Sequence, residues 1–188
     1  MNETIKINCV IGIDPGAAGG IAIYTVGQQG IKTVKMPKEL DELRGFFEYY
    51  ADNFCPIVFL EKLTVRPDDV KVDGGGASLG KLYRIQRMLA GYEKLKAYLE
   101  TVGIPYVLVH PLSWQTRLGL RQKGVQEEKA QRKHRYQQFA GKLYPGTKMT
   151  LWNSDAVLIM HFGRFVLANE LSWVRANLPS REHGKLFE

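Results

Sequence analysis

Cysteine is scarce in this sequence, with Cys9 and Cys55 the only two in 188 residues. That excludes a disulfide framework and a cysteine-based metal centre. Both thiols lie in or beside apolar runs that read as strands, so both are expected to be buried and free. Long apolar runs are missing too. The greasiest later stretch, 156–168, is interrupted by His161 and Arg164, and the opening MNETIKINC has no apolar signal core. The expectation is a soluble, cytoplasmic protein with no membrane span. Repeats and low-complexity tracts are absent, and 45% apolar residues suffice for one compact core. Residues 1–169 read as that domain, with 170–188 a tail packed on it through Trp173, Leu178 and Phe187.

Acidic residues are thin in one place. Residues 1–109 carry thirteen basic and thirteen acidic side chains, and 149–188 carry four of each. The segment 110–148 holds nine basic residues (Arg117, Arg121, Lys123, Lys129, Arg132, Lys133, Arg135, Lys142, Lys148) against Glu127 and Glu128 alone, which accounts for the whole net charge of +7. Such density suits a polyanion bound through phosphates, in a salt-dependent and largely sequence-independent way. No zinc finger or GXXG clamp accompanies it. Arg117, Arg121, Lys123, Lys129, Arg132 and Lys133 are the candidate phosphate contacts there, joined by Arg66 and Lys71 from a Gly-rich loop over 64–80.

The spacing predicts strands over 8–14, 19–26 and 30–36, separated by Gly-rich turns, then a helix over 38–52 and a short, nearly all-apolar strand, PIVFLE. After the loop, Ser78 can open a long helix that Gly103 stops. A strand over 105–110, a short helix over 112–120 and a basic helix over 127–143 follow. Asn153 or Ser154 can cap a last helix running to about Asn169. The order β-β-β-α-β-α-β-α-α-α implies a mixed sheet with helices on its faces.

Three acids occupy notable places in that order. Asp14 ends the first strand before Pro15–Gly16, Glu61 ends PIVFLE, and Asp155 lies in the first turn of the last helix. Adjacent parallel strands ending at one edge would bring Asp14 and Glu61 together, and the helix could deliver Asp155 from the face of the sheet. Converging hard oxygen ligands suit Mg²⁺ or Mn²⁺, and a cation offsets their mutual repulsion. Each acid also has an ordinary reading: Asp14 as a turn opener, Glu61 as a solvent-facing strand end, and Asp155 as a helix-start residue favoured by the macrodipole. Periodicity alone does not make them converge.

The chain resembles RuvC-like Holliday junction resolvases of the retroviral-integrase/RNase H superfamily, in their phage, bacterial and chloroplast branches. The resemblance rests on VIGIDPGAAGGIAIY (10–24), VFLEK (58–62) with the loop and helix after it, KHRYQQFAGKLYP (133–145) and NSDAVLIMHFGR (153–164), and spans about residues 9–168. It implies an RNase H-like α/β fold: a five-stranded mixed sheet, first three strands antiparallel, with helices on both faces. It also implies a homodimer acting on a four-way DNA junction, nicking opposite strands symmetrically to leave 5′-phosphate and 3′-hydroxyl ends. By the same resemblance, two divalent ions, Mg²⁺ with Mn²⁺ able to substitute, would sit between Asp14, Glu61 and Asp155. Lys133, ahead of the family's FP-like turn, would contact the scissile phosphate or attacking water; Lys129, one turn earlier, is the competing choice.

One departure stands out. Many relatives place another acid or a histidine within a turn upstream of Asp155, where this chain has Thr150, Leu151, Trp152, Asn153 and Ser154. Asn153 can act as a neutral amide-oxygen ligand or as a helix cap. Two other function classes therefore stand beside the endonuclease: a non-catalytic junction-binding protein, and an actin-like phosphotransferase or ATPase, whose second lobe is hard to fit into this length.

Overall fold

The computed structural model describes residues 7–16, 18–65, 69–70, 78–121 and 127–179. Three strands come first, β1 (Cys9–Asp14), β2 (Gly20–Thr25) and β3 (Lys32–Lys35), followed by α1 (Leu40–Asn53), β4 (Pro56–Glu61) and α2 (Leu79–Thr101). Then come β5 (Tyr106–Val109), α3 (Pro111–Arg117), α4 (Lys129–Leu143), α5 (Ser154–Asn169) and α6 (Leu171–Asn177). The sheet order is β3-β2-β1-β4-β5. β1–β2 and β2–β3 are antiparallel, whereas β1–β4 and β4–β5 are parallel. The strands and helices expected from the spacing form; the short helix α6 is additional, formed in the segment expected only as a packed tail.

Strand alternation divides the sheet between two cores. Cys9, Ile11, Ile13, Ile21, Ile23, Val58 and Leu60 face α1 and α2. Val10, Ala22, Ile57, Phe59, Val107 and Val109 face the layer of α3, α4, α5 and α6. Helix α5 is buried nearly all round, which explains a sequence too apolar to show one greasy stripe. It lies unusually close to β1: a Cβ built on Gly12 would stand 2.3 Å from the Met160 backbone nitrogen and 2.4 Å from the Ala156 carbonyl oxygen. A strand glycine here exists to admit another backbone.

Cys9 is buried, but Cys55 is exposed, contrary to expectation. Cys55 stands in the bend just before β4, where its backbone N–H donates to Asn8 Oδ1 at 2.8 Å, so the apolar run that suggested burial begins one residue later. In α6, Val174 is fully buried, as Leu178 just beyond it nearly is; Phe187 lies outside the described residues. Among the described residues no helix is long and apolar enough to cross a membrane.

Candidate active site

Parity along the strands decides where the acids point. Asp14 shares the face of Val10 and Gly12, and Glu61 that of Ile57 and Phe59, so both belong to the α5 side of the sheet. The last paired rung of β1 and β4 is Ile13↔Leu60, and the two acids stand one residue beyond it, at the carboxyl ends of neighbouring parallel strands. Asp155, in the first turn of α5, is 7% exposed. Its Oδ2 receives Lys133 Nζ at 2.5 Å, while its Oδ1 is buried without a hydrogen-bond partner.

The turn after β1 is shaped around Asp14. Gly16 N–H donates to Asp14 Oδ1 at 3.1 Å. A side chain on Gly19 would collide with the Asp14 carbonyl oxygen at 2.2 Å and with its carboxyl carbon at 2.8 Å. The glycines of this motif thus clear space for one carboxylate.

The acids are electrostatically coupled. Burial and then the charge of Asp155 push the Asp14 carboxyl above its ordinary range, against the Gly16 N–H and Lys133. Burial and then the charge of Asp14 raise Glu61 from 4.5 to about 7, opposed chiefly by the hydrogen bond from Trp114. Among the described residues, no three His, Cys, Asp or Glu side chains are gathered into a cluster able to hold an ion. The donor chemistry nevertheless fits a hard divalent cation: three carboxylates sense one another, two resist ionising, and one keeps a buried oxygen unpartnered.

The pH consequence has a definite sign. Because Glu61 titrates higher in the folded chain than its ordinary 4.5, the metal-free folded state binds the extra proton between about pH 4.5 and 7. Its stability is therefore expected to fall as pH rises through that window, by up to about 3 kcal/mol. Urea midpoints measured at pH 5, 6, 7 and 8 in chelator should show the decline, and Glu61→Gln should flatten it.

Lys133, not Lys129, reaches the acids: Lys129 is exposed at the start of α4. Asn153 is neither a free ligand nor a side-chain cap. Its Oδ1 accepts from Thr150 N–H at 2.8 Å and Thr150 Oγ1 at 3.0 Å. Its Nδ2 donates to the Lys148 carbonyl at 3.1 Å and to Thr33 Oγ1 at 3.3 Å. This nearly inaccessible amide therefore ties α5 to β3 and to the chain before the helix. Asn153→Ala removes four hydrogen bonds between a buried amide and part-buried partners and is expected to cost about 2–3 kcal/mol in urea unfolding. Asn153→Asp, which restores an upstream acid, should not recover that loss because it cannot donate to Thr33 and Lys148.

The basic segment divides when its partners are seen. Arg117 is paired to Glu170 at 2.8 Å and lies over the Trp173 and Phe162 rings, so it fastens α3 to α5 and α6 rather than standing ready for phosphate. Arg135 is held bidentately by Glu127 and also donates to the Leu120 carbonyl. Arg121 reaches Gln115 Oε1 at 3.5 Å and is exposed, as is Lys129, while Arg132 is half-buried. Arg66, Lys71 and Lys123 lie outside the described residues.

Two solved structures share this architecture. One, of Thermus thermophilus RuvC, has a TM-score of 0.54 at 15% identity and covers 85% of this chain and 95% of its own. The other, T. thermophilus RuvC in complex with Holliday junction substrate, has a TM-score of 0.52 at 15% identity, covering 87% and 96%. The protein has a RuvC-like fold. No protein-family model matches the sequence, and no curated protein does.

The RuvC-like sheet explains why Asp14 and Glu61 meet: its central parallel pair ends both strands at one corner. Sequence reasoning missed Trp114. It is fully buried, and its indole Nε1–H donates to Glu61 Oε1 at 2.9 Å. The available signal was a donor-only aromatic shortly after a strand that lies beside Glu61.

Proposed function

We propose that the protein is a structure-selective DNA endonuclease that resolves four-way junctions by paired, symmetric nicks. What supports this reading is the placement of Asp14 and Glu61 at the carboxyl ends of neighbouring parallel strands, each sensing the charge of Asp155, whose Oδ1 is buried and unpartnered. Asp14, Glu61 and Asp155 would hold the divalent ions, two Mg²⁺ per site, with Mn²⁺ able to substitute. Bound there, the ions supply activation of water and stabilisation of the departing 3′ oxygen.

The chain's own residues do the rest. Gly16 N–H orients the Asp14 carboxylate, and Lys133 offsets negative charge beside Asp155, within reach of a scissile phosphate. Arg121, Lys129 and Arg132 hold neighbouring phosphates, with Arg66, Lys71 and Lys123 as further contacts; Arg117, committed to Glu170, is left out. Junction selectivity comes from two-fold geometry rather than base reading. The first turns of α2 favour a homodimer: Leu79 is 83% and Tyr83 61% exposed, Leu82 and Leu89 are exposed too, and burial in this helix begins only at Tyr92. A second copy is the natural cover for such a stripe.

The deciding experiment compares immobile and mobile four-way junctions with duplex, single-stranded and RNA–DNA hybrid substrates, in Mg²⁺, Mn²⁺ or chelator. Paired ligatable nicks restricted to junctions and lost in chelator are expected. Equal cutting of plain duplex would overturn junction selectivity. A second reading, a non-catalytic junction-binding protein, is favoured by the commitment of Asn153 to structural bonds and of Asp155 Oδ2 to Lys133. Tight junction binding with no cutting in either metal would establish it instead.

A further inference from the structure

A buried indole N–H needs an acceptor, and a backbone carbonyl or a water would serve. Trp114 instead donates to Glu61 Oε1 at 2.9 Å. An indole nitrogen is a donor only, so it grips one side of the carboxylate without exchanging a proton with it. The ring is itself fixed. It is fully buried and meets Tyr136 edge-to-face, with centroids 5.4 Å apart. Tyr136 lies on α4 three residues after Lys133, whose Nζ holds Asp155 Oδ2. A packed path thus runs from Glu61 through Trp114, Tyr136 and α4 to Lys133 and Asp155, linking the two acids other than Asp14.

We propose that Trp114 is a positioning residue for Glu61, gripping one carboxylate oxygen and leaving the other as a donor to a divalent cation. This rests on the metal-site reading above and adds the residue that orients one ligand. Partners that orient a metal ligand are commonly worth ten- to a hundredfold in metal affinity.

The test needs no substrate. Metal-free protein labelled with ¹⁵N at its indoles is titrated with Mg²⁺, and Mn²⁺ affinity is measured by calorimetry. Three tryptophans are present, Trp114, Trp152 and Trp173. The Trp114 indole signal, assigned through Trp152→Phe and Trp173→Phe, should shift with saturation while that of Trp173 stays still. Trp114→Phe keeps a ring against Tyr136 but removes the donor, and should weaken Mn²⁺ binding by about ten- to a hundredfold. Should that variant not fold, the titration of otherwise wild-type protein decides alone. Wild-type binding with a silent Trp114 indole, or unchanged affinity in folded Trp114→Phe, overturns the positioning role and leaves the metal site standing. A wild type that binds neither ion overturns both.

Discussion

Asp14→Asn is expected to stop junction cutting, lowering the rate by more than about a hundredfold, the upper end of what outer-shell changes cost, while junction binding persists. The asparagine keeps the shape of the turn and an oxygen for the Gly16 N–H. What it removes is the charge between the other two acids. Because Asp14 helps to raise Glu61, the same substitution should relieve repulsion, and the metal-free variant should melt no lower than the wild type. Cleavage and binding assays on a synthetic four-way junction, with thermal melts in chelator, measure both effects. Wild-type nicking by purified Asp14→Asn would sink the metal-site assignment. A variant that is inactive but markedly less stable would point to a structural role in the turn.

Gly12→Ala should be a severely damaging small substitution. Its new methyl would sit within 2.6 Å of three backbone atoms of α5, and backbone cannot rotate aside as a side chain can. Overpacking usually costs about 1–3 kcal/mol, and a backbone collision with no escape should reach the top of that range or pass it. The loss is expected in denaturant midpoints and as a drop in soluble yield. Surviving protein should also cut poorly, because pushing α5 from β1 carries Asp155 away from Asp14. Gly45→Ala is the control: a side chain at this exposed position of α1 meets nothing within 4 Å, so it should stabilise by up to about 1 kcal/mol.

Much of this architecture was legible because strands and helices carry their own periods. The meander, the apolar PIVFLE strand and the Ser78 start of α2, whose hydroxyl accepts from Lys81 N–H, all follow from local pattern. So does the shared face of Asp14 and Glu61 once the strands are placed. What stayed hidden are pairings between distant segments. Trp114 and Glu61 are 53 residues apart, and Asn153 and Thr33 are 120 apart. Composition counted Arg117 and Arg135 as positive charge, yet each is committed to a glutamate. Net charge adds up side chains without asking what each one touches. The asparagine before Asp155 looked like a defect in an acidic motif, whereas its four hydrogen bonds make it a brace for the helix that presents the acid.

Because alternation aims Asp14 and Glu61, the lengths of β1 and β4 are part of the chemistry. Removing one residue within Cys9–Asp14 or Pro56–Glu61 would turn the terminal acid toward α1 and α2, into a core of isoleucine, leucine and phenylalanine. Gly12 apart, the strands can therefore exchange apolar residues of similar volume, but can change length only in steps of two. In a set of related sequences, insertions should crowd into the loops and avoid these two strands altogether.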